Sequence, residues 1–229
     1  MRLRALAGTR SAREAQMALL QLSSVALPVG AYSYSQGLET AIDSGRLTSI
    51  ADITSWIADC LRWVIGRYEA PLWWRLHQAC RTDDLARFSE LNEEFLATRE
   101  SAELRAETLQ MGHSMEQLLV GLGLAPPCLD SPTWPALHAW AADAWRIDAE
   151  AALSGYLFGW AENQVMAAIK SFALGQRAGQ QILLGLHPLL AEVVVGAASV
   201  SDDELSNQAP AYAITSARHE EQYSRLFRS

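Results

Sequence analysis

Lysine is almost missing from this chain. Lys170 stands alone, and arginine supplies the remaining positive charge. With 18 basic against 26 acidic residues, the formal net charge is -8. No basic stripe exists to meet a phosphate backbone, which argues against a nucleic-acid binder. Cysteine is scarce too: Cys60, Cys80 and Cys128 are widely spaced and form no C-x-x-C pair. An odd, sparse set fits a reducing cytosol better than a disulfide framework. The opening MRLRALAGTRSARE lacks the apolar stretch of a signal peptide, because charges return at Arg10, Arg13 and Glu14. These absences point to a cytoplasmic protein without a membrane role. Catalytic signatures are missing as well. Lys170-Ser171 has no glycine loop before it, and neither G-x-S-x-G nor H-E-x-x-H occurs. His77, His113, His138, His187 and His219 are scattered, and His77 with Cys80 offers two ligands where a metal site needs about four. The sequence therefore predicts no catalytic residues, no resident metal and no cofactor of its own.

What is present is apolar and helical. Half of the 229 residues are hydrophobic and 19% are charged, which suits one unit with a large core. The centre is Ala149 to Leu190, whose first half is apolar on nearly every face, as in a buried helix. Glu162, Asn163 and Gln164 interrupt it well short of the roughly 20 apolar residues of a membrane span. Gly155/Gly159 and Gly175/Gly179 put small residues one turn apart, a spacing that admits a close neighbour. A break near Gly175 is expected.

Around that centre, Ser11 to Glu14 is a capping-box pattern ahead of Met17, Leu19, Leu20 and Leu22. Thr48 or Ser49 caps a helix through about Ile65, and Pro71 reads as the first residue of the next. Thr82 or Asp83 starts a helix carrying Leu85, Phe88, Leu91 and Phe95. Leu104, Thr108, Met111, Met115, Leu118 and Leu122 form a heptad-like seam. Thr133 caps a further helix with Pro135 early in it. Leu189 to Val200 is ambiguous between helix and strand. Ser201 to Glu204 caps a short helix, and Pro210 opens a last helix. The reading is one all-α domain of about ten helices over 1–229, with a flexible N-terminus (1–10) and a tail at about 216–229.

Three stretches invite a functional reading. Ser23 to Gly37 has loop residues yet is rich in apolar ones, so it is pinned either to its own core or to a partner. The tail combines Arg and aromatic residues in the manner of an interface anchor, with docking on its own core as the alternative. The eight tryptophans sit at core-like spacings, although a helical enzyme or small-ligand binder with a tryptophan-lined pocket is the competing function. The acid-rich run from Asp83 to Glu107 reads as a solvated face.

LLQLSSVALPVGAYSYSQGLE (Leu19 to Glu39), GYLFGWAENQV (Gly155 to Val165), LGQRAGQ (Leu174 to Gln180) and SARHEEQYSRLFRS (Ser216 to Ser229) together resemble the UreF family of urease accessory proteins. RESAELRAETLQMG (Arg99 to Gly112) is similar to that family's middle block. The resemblance implies an all-helical cytoplasmic protein without catalysis, commonly a homodimer. It implies partners too: UreD (UreH in some organisms), the GTPase UreG and the urease apoprotein. Nickel is then handled by the complex, and GTP is bound by the partner GTPase. The residues that carry over as partner-binding are Pro28, Gly30, Tyr32, Tyr34, Gly37 and Glu39 from the loop. Arg218, His219, Glu220, Tyr223, Arg225, Leu226 and Phe227 come from the tail, and Lys170, Gln176 and Arg177 from the central block. Two departures stand out. Ala173 replaces a proline, which implies a softer bend near Gly175, and Ala31 replaces a glycine, which implies strain if that site needs φ > 0.

Overall fold

The computed structural model describes residues 11–229 and is all-α, with no strand among them. The expected flexible segment 1–10 lies outside the described residues. The helices are α1 (Ala12–Leu22), α2 (Leu38–Asp43), α3 (Ile50–Asp59), α4 (Ala70–Thr82), α5 (Leu85–Ala97), α6 (Ala102–Gly121), α7 (Trp134–Ala144), α8 (Ala149–Ser171), α9 (Gln176–Ala197) and α10 (Pro210–His219).

Local chemistry sets most of the starts. Ser11 and Ser49 form reciprocal capping boxes with Glu14 and Asp52, each satisfying amides that the first turn leaves unpaired. Asp84, rather than Thr82 or Asp83, caps α5 through Arg87 N–H. Ser101 and Asp148 cap α6 and α8.

α8 is the hub. It packs against α1, α2, α3, α4, α7 and α9, and Ala152, Leu153, Leu157, Ala161, Val165 and Ala168 are buried on it. One glycine of each small-residue pair explains a close approach. A Cβ on Gly155 would run into Ser23 and Leu19 of α1 and its following loop, and one on Gly179 would strike Ile169 and Val165 of α8.

The structure corrects several expectations and resolves one ambiguity. The chain between Ile50 and Thr82 is one uninterrupted helical run, because Cys60–Glu69 is a π-helical segment joining α3 to α4. Pro71 therefore lies inside a run rather than opening one. Having no N–H, it leaves Arg67 C=O without its usual partner, and Ser206 N–H supplies one from a distant loop at 3.2 Å. Leu189 to Val200 is not a strand. Through Ala197 it continues α9 past Pro188, burying Leu190, Val193, Val194 and Ala197 on one helical stripe. Ala173 does not soften the bend, because α8 stops at Ser171 and Ala173 takes φ 51°, a left-handed value closed to proline. The last helix ends at His219, and 220–229 is an irregular tail. Ala31 is unstrained, since Gly30 takes the positive φ of 78° in its place.

α9 has the length and mean hydropathy, 1.3, of a membrane span. Here Ile182, Leu183 and Leu186 turn into the protein core, while Leu184 and Val195 are exposed.

Two glycines separate space from conformation. A methyl on Gly112 would meet the backbone of Pro132 and Thr133, whereas Gly185 has nothing near it. Urea unfolding should show Gly112→Ala costing roughly 1–3 kcal/mol and Gly185→Ala stabilising by roughly 0.5–1 kcal/mol.

Candidate functional site

The apolar loop and the tail, at opposite ends of the described chain, fold onto one another across α2 and α6. At their centre is Glu39, on the first turn of α2 and only 5% exposed. Its carboxylate accepts the N–H groups of Leu226 (2.7 Å) and Phe227 (3.1 Å), so it holds the tail by its backbone. His219 ends α10 with no exposed surface and bridges two carboxylates, Nε2 at 3.3 Å from Glu39 and Nδ1 at 2.6 Å from Glu103. Arg225 closes the group with Nη1 at 2.6 Å from the other oxygen of Glu103.

Further contacts fix the rest of the tail. Arg228 N–H donates to Ser33 C=O, and Ser35 N–H and hydroxyl donate to Ser229 C=O. The Ser229 hydroxyl donates to Glu107 at 2.8 Å. Tyr34 and Arg228 both donate to Gln110 Oε1. Glu220 accepts from Ala102 N–H at the first turn of α6, where an anion also meets the positive end of the helix. The Phe227 ring is buried, with the Lys170 ammonium 5.4 Å from its centroid.

Gly37 permits this closure. It has φ 82°, and a Cβ there would lie 3.1 Å from Ser216 N in α10. A side chain would thus be strained in its backbone and would press on the tail helix.

The tail docks on the protein's own core through some residues and leaves others at the surface. His219, Phe227 and Ser229 are buried, whereas Tyr223 is fully exposed and Leu226 is 68% exposed. The loop divides in the same way: Val29 and Tyr34 are buried, while Val25 and Tyr32 are exposed at 65% and 64%. Pro28, Arg218, Glu220 and Arg225 also lie at the surface. Gln176 and Arg177 are exposed on the first turn of α9, outside the cluster around Glu39. The sequence reading missed Ser35, Gln36, Glu103, Glu107, Gln110 and Ser229. Glu103 and Glu107 correct the solvated acid face, since Glu103 pairs with the tail and Glu107 is buried. Their signal was an i,i+4 spacing flanking Leu104 on a core helix.

Behind the loop is a cavity of about 80 Å³ lined by Trp134, Tyr156, Trp160, Glu69, Glu107 and His138, among others. That is well below the roughly 300–1,000 Å³ of an ordinary small-molecule pocket. Of the remaining tryptophans, Trp73 is fully buried and stacks on His77, Trp140 and Trp145 are buried, and Trp63 is exposed beside Arg67. Among the described residues no group of three His, Cys, Asp or Glu side chains is placed to hold a metal.

Burial pushes the Glu107 carboxyl up to about 7, with Glu69 adding to the shift and hydrogen bonds from Gln36 and Ser229 opposing it. Burial likewise raises Glu69, against the pull of Arg99 and the Tyr156 hydroxyl. His138 falls to about 3 because burial, and His77 beside it, disfavour its charge.

The family model described as UreF matches residues 47–187. The chain is 51% identical over 220 residues to a urease accessory protein UreF of Azoarcus sp. (strain BH72), covering 92% of this chain and 94% of that protein. It is 47% identical over 223 residues to the Janthinobacterium sp. (strain Marseille) protein of the same name, covering 94% and 99%. A bifunctional urease accessory protein UreEF of Bordetella bronchiseptica is 47% identical over 222 residues, covering 93% of this chain and 51% of that protein.

Two outcomes follow from the geometry. Glu39→Ala leaves two amides and a buried imidazole without their acceptor, and should cost roughly 2–3 kcal/mol. Trypsin should then cut at Arg225 and Arg228 before the rest of the chain. The second outcome concerns pH. The folded protein holds the Glu107 proton more tightly than the unfolded chain, where glutamate titrates near 4.5. Stability from this group is full below about 4.5 and falls by roughly 3 kcal/mol as pH rises to about 7. Chemical denaturation across that window should show the loss, and Glu107→Gln should remove it.

Proposed function

The chain belongs to the UreF family of urease accessory proteins, and from that premise we propose that it is a non-catalytic scaffold in urease metallocentre maturation. In this reading it bridges UreD (UreH) and the GTPase UreG on the urease apoprotein. GTP hydrolysis by UreG then drives nickel insertion, and the nickel is cargo of the assembly. The work is proposed to take place in the cytoplasm.

One observation carries the reading. A set of buried carboxylates builds a single surface from two distant segments, and that surface displays Tyr32, Arg225, Tyr223 and Leu226 without covering them. Exposed tyrosine, arginine and leucine around a fixed backbone have the composition and the preorganisation of a protein interface. Leu226 shows the division of labour, since Glu39 binds its N–H while its side chain points to solvent. The fused UreEF relative supports the idea that such proteins work beside other accessory functions. Self-association is proposed as well, favoured by the exposed Leu184 and Val195 of α9.

Co-purification of the full chain with tagged UreD and UreG tests the proposal. A three-part complex that raises nickel-dependent urease activity is the expected result, and no association with either protein would overturn it. Tyr223→Ala combined with Leu226→Ala should leave the unfolding transition unchanged, because neither side chain is buried. The same pair should weaken partner binding at least tenfold, about 1.4 kcal/mol, in a titration by calorimetry.

A further inference from the structure

The cavity behind the loop has an unbalanced charge. Its lining holds two ionisable acids, Glu69 and Glu107, each 7% exposed, and no lysine or arginine. Arg99 reaches Glu69 from outside the lining at 3.5 Å, so above about pH 7, where Glu107 has given up its proton, one positive charge faces two carboxylates. Buried charges persist only when paired. One neutralising charge is therefore missing.

The lining also contains polar atoms with nothing to bind. Gln164 is 3% exposed, and among the described residues its side-chain amide has no hydrogen-bond partner. His138 is 1% exposed. Its Nδ1 accepts from the Trp73 indole N–H at 3.2 Å, which places the ring proton on Nε2 in the neutral ring. That nitrogen has no protein partner among the described residues, and the residue lines the cavity. Buried polar groups left unpaired by protein are normally met by water or an ion. A volume of about 80 Å³ holds about five waters, or one small ion with part of its shell.

We propose that this cavity binds one small monovalent cation of potassium or ammonium size, between Glu69, Glu107 and Gln164. The charge deficit is one, which suits a single positive charge. Each carboxylate oxygen already accepts a protein hydrogen bond, from Tyr156 and Arg99 on Glu69 and from Gln36 and Ser229 on Glu107. The oxygens thus retain lone pairs for a weakly held ion but not the open set that a divalent cation demands. Trp134 and Tyr156, stacked with centroids 6.0 Å apart, add aromatic faces of the kind that attract cations. The His138 N–H serves a water that accompanies the ion. Because Glu107 also binds Gln36 and Ser229, the occupied cavity braces the loop and the tail together.

The test is thermal unfolding of the full chain at about pH 8, above the Glu107 titration, in potassium, ammonium or tetramethylammonium chloride at equal ionic strength. Potassium and ammonium should raise Tm by roughly 2–4 °C over tetramethylammonium, in a saturable way. Glu107→Gln supplies the missing neutrality without changing shape, so it should abolish that difference. Gln164→Leu should reduce it, which keeps the test intact if the first variant folds poorly. Crystals of the wild type soaked in thallium(I) should show one anomalous peak against Glu107. Equal Tm in all three salts, an unchanged salt difference in Glu107→Gln, or water alone in the soaked cavity would overturn the proposal.

Discussion

A carboxylate removed from water must be answered by donors, and the site depends on how the chain answers the one at Glu39. Backbone amides from the tail supply two of its hydrogen bonds, and His219 stands against the same group. The fold could have met this demand with side chains alone. Using main-chain N–H groups instead fixes the path of the tail whatever its outward side chains are. Leu226 and Tyr223 are thereby positioned without being consumed in packing. Phe227 adds the apolar half of the anchor, since burying such a ring is worth roughly 1.5–3 kcal/mol.

The helical core exists in part to hold that arrangement still. α8 touches most of the other long helices and brings Tyr156 to Glu69, while α6 brings Glu103 and Glu107 to the tail. The π-helical segment fits the same purpose. It ends at Glu69, so the extra residue in its turns sets where that carboxylate enters the interior. Near its neighbour Pro71, which has no N–H to donate, a remote amide, Ser206 N–H, donates to Arg67 C=O. Polar chemistry thus runs as a connected line from Glu39 to the tail, through Glu107 and into the central cavity.

Legibility in the sequence followed the range of the interactions. The capping boxes at Ser11 and Ser49 and the apolar stripe of α6 involve residues within a turn or two, and they read directly. That stripe still drifted by one position at its end. Leu119 is fully buried where Leu118 was expected, and Leu122 is exposed, because a straight helix does not hold a strict seven-residue repeat. The strand propensity of Val193, Val194 and Val195 lost to burial of a helical stripe. The resemblance to UreF pointed to Leu19 to Glu39 and Ser216 to Ser229, two segments that the structure brings into contact. It could not tell which of their residues are struts and which are surface. That division depends on Glu103, Glu107 and Gln110, whose partners lie more than a hundred residues away.

The family explains why such a construction is useful: an accessory protein acts through its surfaces, and a surface assembled from two chain segments is only as defined as the contact joining them. Amide hydrogen exchange at Leu226 and Phe227 tests that claim most directly. The account predicts that both amides exchange with core-like protection in the isolated protein, and that Glu39→Gln strips protection from these two before the core helices are affected. Exchange at the rate of an unstructured peptide in the wild type would contradict it. The tail would then be held by something other than Glu39, or not held at all.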